Sequence, residues 1–236
     1  MNPSDAPTHP STLRKIAFVI DSLTGGGAER LVLTIAETMA ERGHEVILIT
    51  MTDKIEYQID PRLTCHHLTS LSQGGAGKKL MAQRLIRVFA QLEQTGAIDL
   101  VVVNLNLSSE VVRLSGIPGA YFCINNSLAE QLRFTRNPLV RPYWRHKLRQ
   151  LYQGQNLICV SHGVARDCTD NLGIQANHCE VIPNGFNFSQ IRSLAASRVD
   201  ATAKHSPYVL FVGHFKRQKR VDLLLAAWAK VPPGHQ

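Results

Sequence analysis

Lys15-Ile16-Ala17-Phe18-Val19-Ile20, followed by Asp21-Ser22-Leu23-Thr24-Gly25-Gly26-Gly27-Ala28-Glu29-Arg30, is the stretch that decides the fold of this chain. The apolar run predicts a strand and a helical pattern opens at Ala28, so the glycines form the turn between them. Glycine frees the backbone for positive φ and lets N–H groups approach a ligand closely. The following helix turns its partly positive N-terminus to the same point. The stretch therefore reads either as an anion site, phosphate above all, or as a plain strand-to-helix turn.

Outward from this loop, strand-like and helical runs alternate. Leu31, Ile35 and Met39, with Val32 and Ala36 beside them, form a helical stripe that ends at Arg42-Gly43. Strands are predicted at 45–51, 63–68, 98–103, 119–124 and 157–160, with a loop over 73–77. Helices are predicted at 78–92, 108–114, 139–152 and 162–171, the last capped by Ser161. Such alternation with short connections gives a parallel sheet covered by helices on both faces, whose ligands bind at the carboxyl ends of the strands. The Gly25 loop, Asn104 to Asn106, Asn125 to Ser127 and Ser161 all fall at such ends, so one cleft can collect all four, which favours the binding reading of the glycine loop. Further on, 190–204 reads as a polar helix or linker, 208–212 as a strand and 220–230 as a helix.

The chain has 236 residues, 44% hydrophobic and 19% charged, enough for one full domain and part of another. No apolar run approaches the roughly 18 residues of a membrane span, and Met1 to Pro10 lacks the apolar core of a secretory signal, so residence in the cytoplasm is expected. The five cysteines are scattered without a C-x-x-C pair, which argues against a disulfide framework or zinc knuckle. Cys65-His66-His67 lacks a second ligand pair at suitable spacing, so no metal is expected there.

Formal net charge is +8, and part of the excess is concentrated. Arg133, Arg136, Arg141, Arg145, Lys147 and Arg149 interleave with Phe134, Tyr143, Trp144 and Tyr152, and no acid lies among them. This pattern suits contact with an anionic membrane surface or an anionic substrate; a solvated helix face with a few core anchors is the alternative. No nucleic-acid-binding signature accompanies the charge, so no nucleic acid partner is expected.

Three stretches, in this order, resemble the retaining glycosyltransferases of family 4: Gly25 to Arg30, Val181-Ile182-Pro183-Asn184-Gly185-Phe186-Asn187, and Phe211-Val212-Gly213-His214-Phe215-Lys216-Arg217-Gln218-Lys219. The resemblance runs from Lys15 to about Lys230. It implies two facing Rossmann-like domains (the GT-B fold) and transfer of a sugar, with retention, from a nucleotide-sugar to a lipid-linked or polysaccharide acceptor in cell-surface glycan biosynthesis. No cofactor or metal is implied. The enzyme would sit peripherally at the inner face of the cytoplasmic membrane.

The resemblance also assigns roles. Gly25, Gly26, Gly27 and Arg30 would approach the donor phosphates, and Lys219 would neutralise the diphosphate leaving group. His214 stands where the family has Arg, and a neutral imidazole would stabilise that leaving group poorly. Asn125 holds the place of a common family His; it can orient a sugar hydroxyl but cannot act as a base near neutral pH. The paired glutamates of the family's second domain are absent, since no Glu follows Glu180, and the chain by itself is therefore expected to lack full activity. The expected organisation is a disordered tail over 1–14, the acceptor-side domain over 15–178, a junction over 179–204 and the start of a truncated nucleotide-sugar domain over 205–236. On that expectation the apolar stripe of Val221, Leu224, Leu225 and Trp228 is left uncovered and open to self-association. Two other readings are a non-catalytic module that docks on a membrane or partner, and a nicotinamide-dependent oxidoreductase using Asp53, against which Arg30 interrupts the glycine fingerprint.

Overall fold

Every strand of the sheet is parallel, and alternate residues of its central strands feed two separate cores, one on each face. The computed structural model describes residues 12–69, 74–135, 137–197, 209–213, 215 and 217–231. The expected tail falls mostly outside them.

The strands are β1 (Lys15–Ile20), β2 (Glu45–Thr50), β3 (Thr64–His67), β4 (Leu100–Asn104), β5 (Tyr121–Ile124), β6 (Asn156–Cys159) and β7 (His178–Val181). Their order across the sheet is β3-β2-β1-β4-β5-β6-β7. The chain thus winds outward from β1 in one direction, returns, and winds outward through β4 in the other. Helix α1 (Gly27–Glu41) packs Val32, Leu33 and Ala36 on Ile16, Phe18, Ile20 and Leu48 of one sheet face. The other face, with Ala17, Val19, Val103, Phe122 and Leu157, is covered by α2 (Gly75–Glu93), α3 (Asn106–Ser115), α4 (Leu128–Arg133), α5 (Arg141–Tyr152) and α6 (His162–Arg166). β1 is buried along its whole length, as a strand covered on both faces must be.

Lys15 closes the edge of the sheet opposite the strand ends. Only 5% exposed, its ammonium donates to the Leu92 carbonyl at 2.6 Å and to Thr95 Oγ1 at 2.7 Å, and pairs with Glu45 at 3.2 Å. A buried ammonium is tolerated only with such partners.

Several elements depart from the sequence reading. Gly75 and Gly77, placed in a loop by composition, belong to α2, where Gly77 is buried in the helix packing; packing outweighs the weak helix propensity of glycine. The helix expected over 162–171 is α6 followed by a π-helical turn, Asp167–Asn171, which carries Asp167 and Cys168 inward. The sheet runs past residue 178 because β7 satisfies the open edge of β6.

Beyond β7, helix α7 (Phe188–Ser197) and helix α8 (Val221–Trp228) bury no residue. The strand expected at 208–212 is absent over its described part, 209–212. Val209, Leu210 and Val212 are exposed there, and a strand without a pairing neighbour has no partner for its backbone groups. Leu223 and Leu225 of α8 are more than half exposed.

Candidate functional site at the carboxyl edge of the sheet

Between β1 and β4 the winding of the chain reverses, the place at which ligands of such sheets bind. On the β1 side stands the glycine loop. Gly25 takes φ +29°, Gly26 is the N-cap of α1 without a side-chain cap, and the Arg30 amide donates to the Gly26 carbonyl at 3.1 Å. Residues 54–57 strap the loop down. Leu23 donates to the Lys54 carbonyl at 3.0 Å, Glu56 donates to the Leu23 carbonyl at 2.9 Å, and the Tyr57 hydroxyl donates to the Gly26 carbonyl at 3.3 Å. The guanidinium of Arg30 lies 5.9 Å from the centre of the Tyr57 ring.

Two carboxylates crowd this loop. A Cβ added to Gly26 would lie 2.0 Å from Glu29 Oε2, and one added to Gly25 would lie 3.0 Å from Glu56 Oε2. Both belong to flexible side chains. An anion that reaches the loop amides must swing them aside.

On the β4 side, Asn104 is 2% exposed and Leu105 adopts φ 72°, ψ 174°, a conformation that costs any residue with a Cβ about 1–3 kcal/mol. Asp21 sustains it from the end of β1. Its carboxylate accepts the Leu107 amide at 3.2 Å, the Ser108 amide at 2.7 Å and the Ser108 hydroxyl at 2.8 Å, which caps the N-terminus of α3. Burial raises the Asp21 pKa above the ordinary carboxylate value, against the pull of the Ser108 and Leu107 hydrogen bonds.

A second aspartate repeats the device one strand further on. Asp167, 6% exposed, accepts the Ala129 amide at 3.0 Å and the Asn171 side-chain amide at 2.8 Å, while Ser127 Oγ accepts the Glu130 amide at 3.0 Å. Burial opposes the Asp167 charge, yet the bonds from Ala129, Asn171, Ser127 and Leu128 outweigh it and hold the pKa below the ordinary value. The turn Asn125-Asn126-Ser127 is thereby fixed at the end of β5.

Between these turns and helices α4 and α5 opens a cleft of about 460 Å³, lined by Leu105, Asn106, Ile124, Asn125, Asn126, Gln131, Thr135, Trp144, Leu148 and Tyr152 among others. Its described lining contains no charged side chain. Burial pushes the Tyr152 hydroxyl up to about 12, so it stays protonated. An apolar hollow of about 210 Å³ lies on the α1 face, reaching Asn104, Asn125 and Asn184. Asn125 borders both spaces.

The basic residues are largely engaged within the protein. Arg133 pairs with Glu130 at 2.7 Å, Arg141 donates to the Arg133 carbonyl at 2.9 Å, and Arg145 donates to the Asn171 carbonyl. Lys147 pairs with Glu110 at 3.1 Å, and Arg149 is exposed beside Gly173. Leu139, Phe134 and Tyr143 are exposed along the same rim. Lys219 ends a 3₁₀ turn, Arg217–Lys219, and no hydrogen bond or ion pair among the described residues joins it to the glycine loop. His214, Lys216 and Arg136 lie outside the described residues.

The sequence model of Glycosyltransferase Family 4 matches residues 25–190, from the glycine loop through β7 and into α7. The chain belongs to this family. It is 27% identical over 224 residues to the N-acetylgalactosamine-N,N'-diacetylbacillosaminyl-diphospho-undecaprenol 4-alpha-N-acetylgalactosaminyltransferase of Campylobacter jejuni, a match covering 93% of this chain and 60% of that protein. Among solved structures it is similar to WaaG, a glycosyltransferase involved in lipopolysaccharide biosynthesis, at TM-score 0.62 and 19% identity, again covering 93% and 60%. Sucrose-phosphate synthase from Thermosynechococcus elongatus matches with TM-score 0.62 and 17% identity over the same shares. The chain thus spans about 60% of the length of these relatives. The sheet and its helices carry the Rossmann-like fold of a GT-B glycosyltransferase, and family membership removes the oxidoreductase reading.

Family 4 membership puts the site in order. The four strand ends lie along one edge of the sheet, but the cleft there collects only Leu105-Asn106 and Asn125-Asn126; the glycine loop and Ser161 are not among its described lining. Asp21 and Asp167, which shape that edge, escaped the sequence reading, and so did Gln131 and Trp144 as cleft walls. A serine near a helix start marks a capping site. Which aspartate serves it depends on strand pairing, which no spacing in the chain records.

Proposed function

We propose that this glycosyltransferase moves a sugar, with retained anomeric configuration, from a nucleotide-sugar to a lipid-linked or glycan acceptor during cell-surface glycan synthesis, at the cytoplasmic face of the membrane. In this reading the glycine loop meets the donor diphosphate through the amides of Gly25 to Gly27, and the neutral cleft beside Asn125 receives the acceptor. The observation that carries it is the pairing of these two unlike sites across one strand reversal. A diphosphate wants backbone N–H groups at a helix N-terminus, while a hydroxylated acceptor wants amides and an aromatic wall.

Lys219 and His214 belong to the same proposal as the partners of the leaving diphosphate, and Asn125 as an orienting group on the transferred sugar. No metal or other cofactor is invoked, because lysine, backbone amides and the helix N-terminus supply the positive potential. The acceptor's membrane address is supported by the exposed Leu139, Phe134 and Tyr143 beside Arg133, Arg141, Arg145 and Arg149. No helix among the described residues is long and apolar enough to cross a membrane, so contact would be peripheral. The exposed apolar residues of α8 are proposed as a self-association face.

The test is nucleotide diphosphate release from a panel of nucleotide-sugars with and without a polyprenyl-diphosphate-linked glycan. Acceptor-dependent release, slow in this chain and with the donor's anomeric configuration in the product, is the expected result. Release independent of any acceptor, or an inverted product, would overturn the reading.

A further inference from the structure

The cleft beside Asn125 combines side chains that select one ligand chemistry. Asn106, Asn125, Asn126 and Gln131 each offer a donor and an acceptor on one planar group, which matches neighbouring hydroxyls. Trp144 adds an aromatic wall, suited to the C–H face of a ring. The absence of charge from the described lining disfavours a phosphate there.

Trp144 is 39% exposed, and a half-exposed indole would ordinarily sample several rotamers. Here it is held. Lys147 places its ammonium 5.0 Å from the centre of the indole and pairs with Glu110 at 3.1 Å, while Glu110 is also gripped by Lys78. Glu110 Oε1 and Oε2 are thus divided between a lysine of α5 and a lysine of α2, and its side chain is only 13% exposed. Tyr143 braces the same indole edge-on, with ring centres 5.5 Å apart.

We propose that the cleft takes a neutral pyranose ring of the acceptor, stacked on Trp144 and hydrogen-bonded by Asn125, and that the Lys78–Glu110–Lys147 chain is the positioning device that holds the indole in place. This rests on the acceptor reading of the cleft and names what part of the acceptor it grips. Lys147 then acts through Trp144 and has no contact with the sugar. Its charge is spent on Glu110 and the indole face.

The chain has two tryptophans, so Trp228→Phe leaves Trp144 as the sole indole reporter. In that background the emission of Trp144 is followed during titration with methyl α-glycosides of N-acetylgalactosamine and of glucose, and separately with a short-chain polyprenol. A saturable emission shift with a glycoside is expected, weakened about tenfold by Asn125→Ala. Lys147→Met is expected to weaken it about fivefold and to raise the mobility of the indole in time-resolved anisotropy, with Lys147→Arg restoring both. Circular dichroism checks that each variant is folded. A shift with polyprenol alone, no saturable shift with any glycoside, or Lys147→Met binding like the parent would overturn the inference. If acceptor-dependent release of nucleotide diphosphate is intact while Trp144→Phe leaves the acceptor KM unchanged, this inference fails and the proposed reaction stands. Saturable glycoside binding together with an inverted product supports the ring site and overturns the proposed reaction.

Discussion

Asp21, at the end of β1, accepts both the amide and the hydroxyl of Ser108, at 2.7 and 2.8 Å, and so joins two strands and a helix at the point where the sheet reverses its winding. The carboxylate offsets the positive end of α3 and fixes the strained Leu105 peptide beside the cleft. Asp167 does the same for α4 and the Asn125 turn. The edge that carries the proposed chemistry is therefore organised by two capping carboxylates.

Removing the first cap exposes its worth. Asp21→Ala should lower stability by about 1–2 kcal/mol, read as a drop in urea midpoint at unchanged m-value. An unchanged midpoint would mean that Ser108 and Leu107 find other acceptors.

The two aspartates should respond to pH with opposite signs. The folded-state pKa of Asp167 is lowered, so its stabilisation is full above the ordinary carboxylate value of about 4 and is lost as pH falls through the lowered value. The folded-state pKa of Asp21 is raised, so its charge costs stability at neutral pH, and that cost is relieved as pH falls through the raised value. Denaturation of Asp167→Asn should accordingly lose part of the acid-side decline in stability seen in the parent. Asp21→Asn should lose part of the opposite slope.

Leu105 offers a backbone test. Leu105→Ala gives up side-chain contact and keeps the strain, whereas Leu105→Gly gives up the same contact and releases it. The glycine variant should be the more stable by about 1 kcal/mol, the reverse of the usual order of these residues. Equal melting behaviour would show that the loop relaxes when the leucine is removed.

Gly27→Ala discriminates the two meanings of the glycine loop. No atom lies within 4 Å of a Cβ placed there, and the position is the first of α1, so the variant should gain about 0.5–1 kcal/mol of stability. If the loop amides meet a diphosphate, the same methyl group should raise the donor KM; a stabilised variant with unchanged kinetics would return the loop to a plain turn.

Leu225→Glu addresses α8. With Leu225 63% exposed, the parent chain should associate at high concentration in size-exclusion chromatography, and the glutamate should shift it toward the monomer. A parent that is monomeric at every concentration would refute association through this face.

Much of the fold was legible because burial on both sides forces a parallel strand to be apolar, as in Lys15–Ile20 and Leu100–Asn104. The glycine loop and the Asn125 turn were legible because a turn needs particular residues. The edges of elements were less so: Gly75 and Gly77 entered α2, and Asp167 turned inward on a π-helical turn, since packing decided both. The cationic run was legible as a charge pattern but not in its use, because Glu110 lies far along the chain from Lys147 and meets it only through the packing of α3 against α5.

By itself the sequence determined the alternating architecture, the place of the glycine loop at a strand end and the membership of Glycosyltransferase Family 4, all of which rest on local residue types in order. Tertiary structure alone decided which aspartate caps which helix, which partner Lys147 and Arg145 meet, and that the cleft beside Asn125 is walled by Trp144 with no charged side chain in its described lining. Local propensity follows the chain, whereas hydrogen-bond partners and burial follow the sheet order, and the sheet brings together residues that the chain keeps far apart.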